Sequence, residues 1–259
     1  MRGGLIVESI DKSESVKALH ADIKSAYPFY LLYDPDNDNN SCLPREMTQT
    51  VNKFAKDKQW NYIHYPEIVS IANYTFTKLS LKEDANIVPL KLIEDKISIV
   101  KPLFDENGGI IKANSFSGYL TNYERDIIEL YYNYESVDWS DIWACDTLPL
   151  HNAERHLIKD LFLNKEDAKG TKEYGIKKVQ LNSAFGHYCR RMDRDNIIRQ
   201  DGDFVAIPEE IDFKNKDYYY PIGVFCAARQ RYRMAKIIKE LGSDFIYCNT
   251  DSIFCDDTP

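Results

Sequence analysis

No stretch of this 259-residue chain approaches the ~20 consecutive apolar positions that a membrane-spanning helix needs. No membrane association is expected. The first residues, Met1-Arg-Gly-Gly-Leu-Ile-Val, lack the apolar core of a signal peptide. The six cysteines, at 42, 145, 189, 226, 248 and 255, include no Cys-x-x-Cys pair. Neither a zinc site nor a disulfide framework is suggested, and reduced thiols imply a cytoplasmic protein. A basic excess is missing too. The net charge of −8 argues against a free nucleic-acid binder held by its overall charge. There is no internal repeat. What remains, 44% hydrophobic and 29% charged, is an ordinary globular composition, long enough for one large domain or two small ones.

The charge is unevenly placed. Acid collects at Asp34, Asp36 and Asp38 and around Asp251, Asp256 and Asp257. Base collects at Lys172, Lys177, Lys178, Arg190, Arg191 and Arg194, and again from Arg229 to Lys239. The 18 tyrosines provide platforms for stacking or packing.

The most informative stretch lies near the C-terminal end. Two β-prone runs, Phe245–Cys248 and Ile253–Cys255, flank the polar tip Asn249-Thr-Asp-Ser252. That pattern predicts a strand, a tight turn and a returning strand. The tip offers one carboxylate, Asp251, beside the Asn249 amide and two hydroxyls. Two strands would fix it, which suits a metal ligand; read alone, it is equally an acidic surface turn.

Met1-Arg-Gly-Gly4 reads as a flexible entry at a domain border, with Gly3 and Gly4 permitting close backbone approach. Leu5–Ile10 can form a short strand. A strand over Ala18–Ile23 would carry Asp22 at its end, followed by a helix from Pro28 to Tyr33. Asp22 is then either a helix cap or a carboxylate aimed at an ion. Further β-prone runs are Trp60–Tyr65, Ile87–Ile93 and Ile97–Phe104, the last followed by the turn Asp105-Glu-Asn-Gly-Gly109.

Thr121-Asn-Tyr-Glu124 is a capping box opening an amphipathic helix with Ile127, Ile128, Tyr131 and Tyr132 on its apolar side. Ser136–Asp146 reads as extended or loop. Helices over His151–Asn164 and about Lys172–Gly186 form an αα-hairpin across Glu166–Gly170. On the second, Lys178, Asn182 and Phe185 share one face. They are either a grip for a phosphate and a base pair, or a solvated lysine beside core. Gln200-Asp-Gly-Asp203 signals a β-hairpin, and a long helix runs from Pro221 until Gly242 ends it.

Asp22 and Asp251 thus stand at two strand ends, with a helix bearing Lys178 and Asn182 between them in the chain. Two carboxylates from different strands can hold two Mg²⁺ ions ~3.5–4 Å apart for in-line phosphoryl displacement. A facing lysine would balance triphosphate charge. The offered ligands are hard oxygens, as Mg²⁺ prefers.

Here the sequence resembles the family B DNA polymerases, in particular the protein-primed type of phages, viruses and linear plasmids. Asp22-Ile-Lys-Ser-Ala-Tyr-Pro28 is similar to that family's motif A (D-x-x-S-L-Y-P), with Ala26 for Leu. Lys178 to Gly186 is similar to motif B (K-x-x-x-N-S-x-Y-G), with Phe185 for Tyr. Tyr247-Cys-Asn-Thr-Asp-Ser252 is similar to motif C (Y-x-D-T-D-S), with Asn249 for the first Asp. Met1-Arg-Gly-Gly4 resembles the family's Y-x-G-G linker without its Tyr, and Pro221–Arg231 looks like the helix before motif C, with Ala227 for Thr. Each motif alone is weak; the three in order and spacing span nearly the whole chain.

The resemblance implies an α+β fold: a palm with an antiparallel sheet flanked by helices, a helical-hairpin fingers element and β-rich insertions. It divides the chain into palm (1–84), a first insertion that would contact priming protein and DNA (85–150), fingers (151–189), a second insertion (190–219) and palm again (220–259). It implies nucleotidyl transfer from a dNTP to a primer 3′-OH or to a priming-protein hydroxyl. The partners would be primer-template DNA, dNTPs and a terminal (priming) protein, and the setting the host cytoplasm if phage or plasmid encoded.

Asp22, Asp251 and the Ile23 backbone would hold Mg²⁺, for which Mn²⁺ can substitute, and Asp22, Asp251 and Lys178 would be catalytic. The nucleotide would meet Ser25, Ala26, Tyr27, Lys178, Asn182 and Phe185, with Tyr27 beneath the sugar excluding a 2′-OH. Primer and template would meet Gly3, Gly4, Ser183, Gly186, Arg231, Tyr247, Asn249, Thr250 and Ser252. The family's exonuclease part and thumb are expected to be absent, and a missing thumb together with the −8 charge implies weak DNA retention. The competing expectations are a truncated relic that binds DNA or a protein without synthesis, which Asn249 favours, and an unrelated two-metal phosphohydrolase, for which no second acidic or histidine cluster is seen.

Overall fold

The computed structural model describes residues 5–9, 18–33, 43–44, 48–49, 68–90, 97–189, 195–200, 203–208 and 220–256. The strands are, in chain order, β1 (Ile6–Glu8), β2 (Ala18–Asp22), β3 (Leu43–Pro44), β4 (Thr48–Gln49), β5 (Ile68–Leu81), β6 (Ile97–Val100) and β7 (Leu103–Phe104). They continue with β8 (Ile110–Thr121), β9 (Tyr132–Asn133), β10 (Ser136–Leu148), β11 (Asp195–Gln200), β12 (Asp203–Pro208), β13 (Phe245–Asn249) and β14 (Ser252–Asp256). The helices are α1 (Ala26–Leu32), α2 (Asn122–Tyr131), α3 (Asn152–Asp167), α4 (Tyr174–Tyr188) and α5 (Tyr220–Leu241).

A small sheet of order β1-β13-β14-β2 brings the two ends of the chain together. All its pairings are antiparallel. Side chains alternate across a strand, so register decides which face each residue takes. Val7, Cys248 and Ile253 are aligned across the sheet and buried. Their neighbours Asn249, Ser252 and Asp22, aligned one position along, therefore fall on the opposite face.

The larger sheet runs β3-β10-β5-β8-β6, with β4, β7 and β9 pairing onto it. The middle of β5 alternates: Ala72, Tyr74 and Phe76 are buried, while Asn73, Thr75 and Thr77 point the other way. Helices α2 and α5 close the gap between the two sheets. Ile127, Ile128 and Tyr131 of α2 and Met234, Ala235 and Ile238 of α5 join Phe76 and Phe116 on one side to Phe245 and Ile253 on the other in a single core. The Thr121–Glu124 capping box that starts α2 is present in full. Helices α1, α3 and α4 build a second core around Tyr30, Leu31, Ile158 and Leu181. Helix α5 can pass close to the end of α4 because Gly223 has no side chain; a Cβ there would lie 2.5 Å from the Tyr188 carbonyl oxygen.

The α+β class, the antiparallel strands and the two-helix hairpin agree with expectation. Helix α1 begins two residues before Pro28, which the first turn accepts because its amides have no intrahelical partner. The described part of Ile87–Ile93 is not a strand. Ile87 and Leu90 are buried from a coil, and Asn86 donates to the Ile238 and Gly242 carbonyls at 2.7 and 2.8 Å. That segment caps the end of α5. The extended reading of 136–146 is a full strand, β10. Strand β5, not singled out from the sequence, is the centre of the large sheet. Trp60–Tyr65, Gly3, Gly4 and the 201–202 tip between β11 and β12 lie outside the described residues.

Candidate active site

Asp22 ends β2 and Asp251 sits in the turn between β13 and β14. Strand β2 pairs with β14 so that Asp22 is opposite Ser252, and the Ile23 amide donates to the Asp251 carbonyl at 2.9 Å. Asp22 and the turn that carries Asp251 therefore lie side by side at the same end of the sheet. The turn is held from two further sides. The Thr250 amide donates to the Leu5 carbonyl at 2.7 Å, and the Gln230 side chain, wholly buried on α5, donates to the Thr250 carbonyl at 2.8 Å. Thr250 itself takes φ +60°, a left-handed conformation that these bonds must stabilise.

Burial raises the Asp251 carboxyl above the usual carboxylate range, and the nearby Asp22 charge raises it further. Its own backbone amide and the Lys178 ammonium pull the other way. One carboxylate thus feels the second carboxylate and the lysine of α4 together. Lys178 and Asn182 are exposed on α4. Phe185, further along that helix, stacks face to face on Tyr27, with ring centroids 4.3 Å apart and planes 8° from parallel. Burial pushes the Tyr27 phenol up, and the Arg231 and Asp251 charges both reach it, with opposite sign.

The other expected residues divide by environment. Ser25 takes φ +53° at the start of α1, and its Oγ accepts from Lys165 Nζ at 3.0 Å. Ala26 is buried. Ser183 Oγ donates to the Val179 carbonyl of its own helix at 2.8 Å, and Gly186 is exposed on α4. Asn249 is exposed, its Oδ1 3.4 Å from Thr250 Oγ1, while Ser252 Oγ lies 3.1 Å from the Asn249 carbonyl. Tyr247 is half-buried in the next row of the same face, aligned with Phe254 and His20; the His20 and Phe254 rings stack at 4.4 Å. Arg231 is buried and donates to Glu124 of the α2 capping box at 2.8 Å.

Gln230, Lys165 and His20 were not found from the sequence. Gln230 had a faint signal: an uncharged polar residue where α5 turns its face to the core.

Among the described residues no group of three or more His, Cys, Asp or Glu converges. Two carboxylates with an amide and backbone oxygens nearby form a donor set that fits Mg²⁺, which keeps several waters and takes one or two carboxylates plus substrate phosphates.

No protein-family model matches the chain. Among curated proteins, the DNA polymerase of Bacillus phage Nf is 28% identical over 208 residues, covering 78% of this chain and 33% of that polymerase. The DNA polymerase of Bacillus phage B103 is 25% identical over 208 residues, with the same coverage. The chain is similar to phage DNA polymerases. It spans about a third of the length of these relatives, 33% in each case. Among solved structures, Phi29 DNA polymerase complexed with primer-template DNA and incoming nucleotide substrates matches with a TM-score of 0.72 at 20% identity, over 100% of this chain and 42% of that one. The primer-template binary complex of the same polymerase gives 0.69 at 20% identity. The fold is that of the matching part of this polymerase.

Proposed function

We propose that this chain forms the palm and fingers of a DNA-directed DNA polymerase of the protein-primed family B type. The observation that carries the reading is the placement of Asp22 and Asp251 on adjacent strand ends, bonded through Ile23 and within electrostatic reach of Lys178. The reaction joins a primer 3′-oxygen, or the hydroxyl of a priming protein, to the α-phosphorus of a dNTP and releases pyrophosphate. Bound Mg²⁺ would lower the charge repulsion between nucleophile and triphosphate and stabilise the developing oxyanions. Asp22, Asp251 and the Ile23 backbone would hold it.

Lys178 neutralises triphosphate charge as it shifts to the leaving group. Tyr27, pinned beneath Phe185, lies under the incoming sugar and leaves no room for a 2′-OH. Phe185 and Asn182 cover the nascent pair, and Tyr247 approaches the primer end. Residues 1–84 and 220–259 form the palm, 151–189 the fingers, 85–150 an insertion that would meet priming protein and DNA, and 190–219 a second that would help surround the template. The site of action is the cytoplasm of the host cell. Among the described residues no helix is long and apolar enough to cross a membrane.

Asn249 favours one second reading. It supplies an oxygen but no charge beside the two carboxylates, so a weakened polymerase that binds nucleic acid without synthesis is the alternative. Extension of a labelled primer on a template, with Mg²⁺ or Mn²⁺, separates the two. Template-dependent incorporation lost in Asp22→Asn and Asp251→Asn supports the polymerase. DNA binding without incorporation supports the alternative, and phosphodiester hydrolysis without dNTP contradicts both.

A further inference from the structure

The turn between the Asp22 strand and α1 is held by a buried cation from a distant part of the chain. Ser25 forms that turn with φ +53° and ψ +57°, a conformation that residues with a Cβ rarely hold without support. It stands at the N-cap of α1, where a serine hydroxyl ordinarily accepts from an amide of the first turn, yet its side chain makes no such bond. The oxygen instead accepts from Lys165 Nζ at 3.0 Å, across 140 residues of chain.

Lys165 lies in the last turn of α3 and is only 4% exposed. Lysine is seldom buried to this degree, because removing an ammonium from water is costly unless it is paired. Here it pairs with Glu166 at 2.9 Å and lies 4.9 Å from the centre of the Phe162 ring. Glu166 also reaches Lys24, the other residue of the turn, at 4.0 Å. Lys165 and Lys24 hold the Glu166 carboxyl below its usual range. A surface ion pair would have sufficed to tie down the end of α3. Only a buried ammonium reaches Ser25.

The consequence follows from where Ser25 sits. Asp22 is three residues before it and Tyr27 two after, so the turn sets where both side chains point. The same helical hairpin reaches this segment a second time, at Tyr27, through the Phe185 ring of α4. We infer that Lys165 is a positioning residue whose ammonium latches the Ser25 turn to the α3–α4 hairpin, fixing the aim of Asp22 on one side and Tyr27 on the other. Its catalytic consequence rests on the polymerase reading above; the latch itself does not.

The test compares Ser25→Ala, Lys165→Met and the double variant. Alanine keeps the Cβ and the strained backbone and removes only the oxygen. Methionine keeps the length and apolar stem of lysine and leaves no unpaired buried charge. Hydrogen exchange of the peptide spanning 23–32 should be several-fold faster in each single variant and no faster in the double, because both remove one bond. Discrimination of dNTP over rNTP should fall roughly tenfold in each single variant and no further in the double. Unchanged exchange in Ser25→Ala, or effects that multiply in the double variant, would overturn the latch. If Lys165→Met does not fold, Ser25→Ala decides alone, since it alters a turn and not the core. If the wild type extends no primer while exchange behaves as stated, the polymerase reading fails and the latch stands.

Discussion

The two sheets differ in what holds them. The large sheet is built from strands of up to 14 residues, and its buried rings pack on one another: Phe76 meets Tyr134 edge-on with centroids 5.1 Å apart and lies 6.4 Å from Phe116. The small sheet has strands of three to five residues, and all five residues of β2 are exposed. What fixes its working end is a handful of directed bonds: Ile23 and Gln230 donate to the Asp251 turn, and the turn donates to Leu5. Apolar burial stabilises a fold without regard to direction; hydrogen bonds to backbone carbonyls set position. The large sheet and the helices behind it supply stability, and the small sheet spends its few contacts on geometry.

That contrast can be broken from either side. The largest stability effect belongs to the large sheet. Phe76→Ala should cost ~3–5 kcal/mol, read from urea unfolding, because a wholly buried ring leaves a cavity among Tyr74, Phe116 and Tyr134. A loss below about 1 kcal/mol would mean that the sheet collapses around the gap.

Gln230→Leu should cost less, about 1 kcal/mol for one hydrogen bond, yet lower the rate of nucleotide addition more than Phe76→Ala does in protein that is still folded. Equal rates in the two variants would remove the distinction between stability and geometry.

Asp251→Asn should leave the ion-free protein slightly more heat-resistant while abolishing incorporation. The direction follows from linkage. The folded carboxyl sits above its unfolded range, so its contribution to stability is present at low pH and is lost as pH rises through the folded value. The wild type without ions should therefore lose melting temperature as pH climbs out of the carboxylate range, and the amide variant should lose less. A lower melting temperature for Asp251→Asn at neutral pH would contradict the crowding of the two carboxylates.

The smallest effect is expected from Asn249→Asp. A third carboxylate beside the site should tighten Mn²⁺ binding modestly. Equal affinity in the two proteins would mean that position 249 faces away from the ion.

Much of this architecture was legible because the signals are local. The β13–β14 hairpin, the α2 capping box and the α3–α4 pair each announce themselves within one continuous stretch of chain. Strand β5 was missed, although Ala72, Tyr74 and Phe76 alternate with Asn73, Thr75 and Thr77 within it. The Asp22 and Asp251 positions could be proposed because each stands at a strand end. Lys165 and Gln230 could not. Each looks like any polar residue on a helix, and each acquires its task only when folding brings Ser25 or Thr250 to it. Ile87 and Leu90 misled because β-prone residues also fill a core from a coil.

The most direct test is calorimetric titration with Mn²⁺ of the wild type, Asp22→Asn, Asp251→Asn and the double variant. If the two carboxylates hold ions jointly, each single change should remove most of the affinity and the double change should add little. Independent, additive losses, or an unchanged affinity in either single variant, would place the carboxylates in separate sites and contradict the account.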